Sequence, residues 1–119
     1  MAARNLADSN LQLMQGTLDL LILKGLTFGP RHGYGVASWI RATTGGTLEI
    51  EDGALYTALH RMEKRGWLEA QWGTSDANRR AKFYALTDDG RSRLEASTRT
   101  WTSYVRAVFQ VLETTEAPA

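Results

Sequence analysis

Residues 52–87, DGALYTALHRMEKRGWLEAQWGTSDANRRAKFYALT, contain the pattern that decides the fold. The first part predicts an amphipathic helix that ends before Gly66, because apolar residues recur at helical spacing. Two runs rich in aromatic residues, WLEAQW and AKFYALT, follow this helix. The segment between them, GTSDANRR, consists of turn-forming residues, so the two runs predict a β-hairpin. The apolar face of the predicted helix is formed by Leu55, Ala58, Leu59 and Met62.

Two further helices are predicted before this segment. Residues 16–27, GTLDLLILKGLT, place leucine and isoleucine side chains on one helical face. Residues 33–44, GYGVASWIRATT, repeat Val36, Ala37 and Ile40 at helical spacing, and the glycines that follow end the pattern. Residues 47–50, TLEI, alternate apolar and polar side chains and predict at most a brief edge strand.

A long helix is predicted at the C-terminal side of the hairpin. Thr87 offers a capping hydroxyl, and Asp88 and Asp89 place carboxylates in the first turn. A heptad-like stripe then continues for about five turns. Because a monomer of this size has little left to cover the stripe, we expect it to form a homodimer interface. The predicted interface residues are Leu94, Trp101, Val105, Val108 and Leu112.

The order of these elements predicts a winged helix-turn-helix followed by one long helix. This is a mainly α fold with a small β-hairpin as its wing. We expect residues 1–15 to form an N-terminal arm or short helix and residues 16–87 the winged helix-turn-helix domain. Residues 88–115 would form the dimerisation helix, and residues 116–119 a frayed tail.

Composition limits the classes of protein that fit. The chain has 119 residues, 43% of them hydrophobic and 23% charged, as expected for one folded domain. It contains no cysteine, which excludes disulfides and thiolate metal sites. No segment approaches the roughly 20 apolar residues of a membrane span, and the start lacks a secretory signal. We therefore expect a cytoplasmic protein that does not associate with membranes.

Two short basic segments stand out from a net charge of +1, and both point to DNA. A helix that reads the major groove presents small or polar side chains opposite its buried face. An ordinary amphipathic helix also has a polar outer face, but here a basic hairpin follows directly. On the helix, the candidate DNA-binding residues are Gly53, Tyr56, Thr57, His60, Arg61 and Lys64, with Thr57, His60 and Arg61 nearest to base edges. On the wing, they are Arg79, Arg80 and Lys82.

The sequence contains no arrangement of residues that indicates enzymatic catalysis. His32 and His60 lie far apart without carboxylates at metal-ligand spacing, so we interpret them as surface or turn residues. We predict no catalytic residue, no metal and no cofactor.

Trp101 is a candidate platform on which a small aromatic effector would stack. A winged helix that binds a protein partner, or senses a ligand without an operator, stays open as an alternative, and Glu51 and Asp52 favour it slightly.

Three stretches resemble the PadR family of transcriptional regulators, in particular its short members with a single C-terminal helix. They are GTLDLLILKGL with HGYGVASWI, then DGALYTALHRMEKRGWLEA, and finally RRAKFYALTDDGR. The resemblance implies a winged-helix repressor, dimeric through its C-terminal helices, that a small molecule releases from DNA. The twofold symmetry of such a dimer predicts a near-palindromic operator. The resemblance places Tyr56 and the exposed side of the predicted helix against DNA. Glu51 and Asp52 depart from the serine and proline usual in the family.

Overall fold

The computed structural model describes residues 15–117, which form four α-helices and one small sheet. The predicted mainly α winged helix-turn-helix with a long C-terminal helix is confirmed. Most of the predicted arm and the last two residues of the predicted tail lie outside the described residues. The helices are α1 (Gln15–Gly25), α2 (Gly33–Thr43), α3 (Asp52–Lys64) and α4 (Asp88–Leu112), and the strands are β1 (Arg31–His32), β2 (Leu68–Thr74) and β3 (Arg80–Leu86).

The hairpin forms as predicted, with β2 and β3 antiparallel and Leu68 opposite Leu86. Its turn is tighter than the predicted eight residues, because Ser75 N–H donates to the Arg79 carbonyl at 2.8 Å. A third strand, β1, pairs with the outer side of β3 and was not predicted. A strand of two residues is too short to show an alternating pattern, and its partner residues in β3 are distant in the chain.

The edge strand predicted at residues 47–50 is wrong. These residues form a loop, in which Leu48 N–H donates to Thr44 Oγ1 at 3.1 Å. Leu48 and Ile50 nevertheless pack against the core. The alternation of apolar and polar residues in this segment therefore arises because a loop, rather than a strand, buries these two side chains. The core itself lies between α1, α2, α3 and one face of the sheet, and its fully buried side chains include Ile22, Leu23, Val36, Ile40, Leu55, Leu59 and Met62.

The first turn of α4 is tied to the segment that follows α3. Thr87 caps α4, since its Oγ1 accepts a hydrogen bond from Gly90 N–H at 3.0 Å. The same hydroxyl donates to the Gly66 carbonyl at 2.6 Å, and Thr87 N–H donates to the Trp67 carbonyl at 3.1 Å. Gly90 is buried, and a Cβ atom there would overlap the Trp67 carbonyl oxygen. This close approach fixes the direction in which the long helix leaves the domain.

Candidate nucleic-acid interface

The outer face of α3 carries the polar strip that the sequence predicts. Leu55, Leu59 and Met62 are buried on the opposite side of the helix. Because these apolar side chains anchor the helix, the remaining face is turned to solvent. Its exposed residues are Gly53, Tyr56, Thr57, His60 and Lys64.

The guanidinium of Arg61, which the sequence predicts to lie near base edges, already has a partner in the free chain. Its Nη1 and Nη2 donate to the two carboxylate oxygens of Asp19 on α1, at 2.6 and 2.8 Å. This hydrogen bonding raises the pKa of Arg61 above its ordinary value. The end of the guanidinium formed by Nη1 and Nη2 therefore points toward α1, and a base contact through this end requires the ion pair to break.

The wing carries three cations, of which one is also paired. Lys82 Nζ lies 2.9 Å from Glu63 Oε1 on α3, and this hydrogen bond raises the pKa of Lys82. The pair joins the wing to the helix that precedes it. Arg79 and Arg80 are exposed and form no ion pair with another described residue.

An open cleft of about 790 Å³ lies between the start of α2, the outer side of α3 and the wing. The Arg80 guanidinium stands 4.4 Å above the ring of Trp72, within the range of a cation–π contact. Exposed aromatic rings of Tyr34, Tyr56 and Trp72 line the cleft beside Arg79 and Arg80. The cleft thus combines flat apolar surfaces with positive charge.

Gly33 allows the ring of Tyr56 to approach the backbone of α2. A Cβ atom at Gly33 would stand 2.7 Å from Tyr56 Cε1. His32 holds this end of α2 in place, because its Nδ1 accepts a hydrogen bond from Gly35 N–H at 3.0 Å. The histidine therefore caps a helix.

Sequence reasoning missed Tyr34 and Trp72 as members of this cleft. Trp72 carried a usable signal, because residues five apart on a strand face opposite sides, and Trp67 precedes it by that interval. Trp67 lies beneath the guanidinium groups of Arg65 and Arg93, at 5.2 and 4.8 Å. Trp72 faces the other side of the strand, where it lines the cleft. Tyr34 carried no such signal, since its position depends on how α2 docks beside the wing.

The second half of α4 exposes an apolar surface. The predicted interface residues Trp101, Val108 and Leu112 are exposed in the single chain, and Val105 is half-buried. Leu94, the fifth predicted interface residue, is partly buried against the core of its own domain, because the first turns of α4 lie on that core. The exposed stripe also includes Tyr104, Phe109 and Val111.

A groove of about 480 Å³ runs between α1 and α4. Trp101 and Tyr104 form its aromatic part, and Thr17 and Leu20 approach from α1.

Among residues 15–117, no helix combines the length and apolar character needed to cross a membrane. The same residues contain no cluster of three or more side chains suited to bind a metal ion.

Comparison with known proteins gives consistent matches. A model of the transcriptional regulator PadR-like family matches residues 22–96. The structure of a PadR family transcriptional regulator from Eggerthella lenta is 31% identical, with a TM-score of 0.74 and coverage of 90% of this chain and 91% of that chain. A PadR-like transcriptional regulator from Bacillus cereus is 26% identical, with a TM-score of 0.74 and coverage of 87% and 98%.

Two other relatives are similar over comparable lengths. A transcriptional regulator from Clostridium thermocellum is 25% identical, with a TM-score of 0.76 and coverage of 83% of this chain and 96% of that chain. A curated protein from Lysinibacillus sphaericus, described as uncharacterized protein X, is 28% identical over 89 residues. That alignment covers 75% of this chain and 82% of the relative.

Proposed function

The chain belongs to the PadR-like family of transcriptional regulators, and we propose that it is a sequence-specific repressor that binds a near-palindromic operator as a homodimer. We also propose that a small aromatic effector relieves the repression. The family consists of DNA-binding regulators rather than enzymes. The observation that carries the proposal is the exposed polar strip of α3 next to a basic wing, with one cleft between them.

In the proposed complex, α3 lies in the major groove, whose width admits one helix. Thr57 and His60 face base edges, while Lys64 and the hydroxyl of Tyr56 contact phosphates. Gly53 lacks a side chain at the start of α3, so the backbone there can approach the DNA closely.

The wing has a different role in this proposal. Arg79 and Arg80 approach the sugar–phosphate backbone, and Lys82 lines the same cleft. Contacts of this kind are independent of sequence and weaken steeply with salt. Trp72 supports Arg80 from below and so limits the directions in which the guanidinium can point.

The homodimer is proposed to form through α4. Trp101, Val108 and Leu112 lie on the exposed apolar stripe, and a second copy of the helix would cover it. A twofold axis through such a pair presents two α3 helices to successive major grooves, roughly 34 Å apart. The operator would then share the twofold symmetry.

The effector is proposed to bind in the groove beside Trp101. Its volume falls within the range of small-molecule sites, and two aromatic rings form one wall. A ligand shifts the dimer toward a form that does not bind DNA only by its difference in affinity for the two forms. Titration with aromatic acids and cations should change tryptophan fluorescence, and the change should vanish in Trp101→Phe. A signal that persists in this variant would place the ligand elsewhere.

Selection of bound duplexes from a random DNA pool tests the central proposal. Enrichment of an inverted repeat with half-sites about one helical turn apart is expected. The selected duplex would then be used to measure affinity against salt. A folded dimer that enriches no duplex would contradict the proposal and favour a winged helix that contacts another protein.

A further inference from the structure

An ion pair at the side of α3 restrains the arginine that lies nearest to the exposed strip. The Asp19 side chain is 20% exposed and that of Arg61 35%, and two hydrogen bonds join them. Bidentate pairs of this type have fixed geometry and are stronger than single contacts. The pair between Arg41 and Glu49 is different, since it has one contact of 3.5 Å and side chains that are 53% and 66% exposed.

Arg61 borders the strip that we propose to face DNA. On a helix, side chains three or four positions apart are neighbours. Thr57 and Lys64 are therefore adjacent to Arg61, at four positions before and three after it. An arginine in this place could turn toward DNA if Asp19 did not hold it.

We propose that Asp19 is a specificity-determining positioning residue, which fixes α3 against α1 and keeps Arg61 from binding DNA phosphates. This inference rests on the proposed DNA-binding function. Phosphate contacts supply essentially all of the affinity for unrelated sequences. Since the carboxylate holds the two terminal nitrogens of the guanidinium and neutralises its charge, Asp19 removes one such contact in each protomer. The loss of Asp19 should thus strengthen binding to unrelated DNA and weaken discrimination.

The test compares Asp19→Asn with the wild type on the selected operator and on an unrelated duplex. For the variant, the plot of log affinity against log salt should steepen by about 0.9 per protomer on unrelated DNA. In a dimer, this corresponds to roughly tenfold more affinity lost between about 50 and 200 mM salt. The ratio of operator affinity to unrelated affinity should fall.

Two further variants identify the cause. Glu49→Gln changes the net charge by the same amount and breaks the exposed Arg41 pair, and it should leave the salt slope unchanged. The double variant Asp19→Asn with Arg61→Gln should return the slope to that of the wild type, because the released cation is absent. This double variant also pairs two neutral amides and provides a second test if the single variant does not fold.

Each other outcome overturns the inference. An equal steepening in Glu49→Gln would mean that net charge alone is responsible. An unchanged slope in folded Asp19→Asn would give Asp19 a purely structural role. A loss of operator affinity by about fivefold or more in the double variant would identify Arg61 as a base contact. If the wild type binds no duplex, the proposed function fails as well, and the wild-type titration shows this separately.

Discussion

Replacement of Gly90 by alanine tests the junction that directs α4. Alanine is the better helix former, and propensity alone favours Gly90→Ala by up to about 1 kcal/mol. The structure predicts the opposite, because the added Cβ atom would overlap the backbone oxygen of Trp67. A backbone carbonyl cannot rotate away as a side chain can, so the first turn of α4 must move.

The size of the loss follows from the hydrogen bonds at this junction. Thr87 donates from its backbone to Trp67 and from its hydroxyl to Gly66, and it accepts the capping bond from Gly90. Each bond contributes about 1 kcal/mol to the free energy of unfolding, so the loss of all three costs about 3 kcal/mol. After the propensity gain, we expect a net loss of about 2 kcal/mol. The melting temperature should fall by roughly 10 °C.

The assay is thermal and urea unfolding followed by circular dichroism, with Gly53→Ala as the matched control. Gly53 is also in the first turn of a helix, but a Cβ atom there meets only Glu51 Oε1 at an ordinary 3.5 Å. The control should be as stable as the wild type or slightly more stable. If Gly90→Ala matched this control, α4 would not approach Trp67 closely, and the derived direction of the helix would be wrong.

Three other substitutions probe separate contacts. His32→Ala should lower the free energy of unfolding by about 1 kcal/mol through loss of the α2 cap, whereas His32→Asn should largely restore it, as measured by urea unfolding. Gly33→Ala should displace the Tyr56 ring and weaken operator binding by about fivefold, as measured by a fluorescence anisotropy titration. The free energy of unfolding should stay nearly unchanged, because the ring lies at the end of an exposed side chain. Val108→Glu should yield monomers in sedimentation equilibrium, while Gln110→Glu, on the other side of α4, should stay dimeric. A dimeric Val108→Glu would move the interface away from this stripe.

Local patterns were sufficient to predict α3, the hairpin and α4. The apolar spacing around Leu59 fixes which side of α3 is buried, and the turn residues after Gly73 fix where the hairpin reverses. The edge strand at residues 47–50 failed for a related reason. An alternating pattern records which side chains are buried, and a loop that covers the core produces the same pattern as a strand.

The aromatic cleft could not be predicted, because three separate elements assemble it. Tyr34 comes from the start of α2, Tyr56 from α3 and Trp72 from β2. No spacing in the sequence relates the first of these residues to the last. Their approach depends on how α2 docks and on the absence of a side chain at Gly33, and only the folded chain contains that information.

The charge of the interface also changes once the chain is folded. The sequence offers five cations to DNA, but two of them are neutralised within the folded chain. Asp19 pairs with Arg61, 42 residues away along the chain, and Glu63 pairs with Lys82, 19 residues away. Lys64, Arg79 and Arg80 remain without an ion pair among the described residues. A dimer that uses six such cations should show a salt slope of about −5, whereas ten would give about −9. A slope near the larger value would mean that both ion pairs break when DNA binds, and the reading surface would then form on the DNA itself.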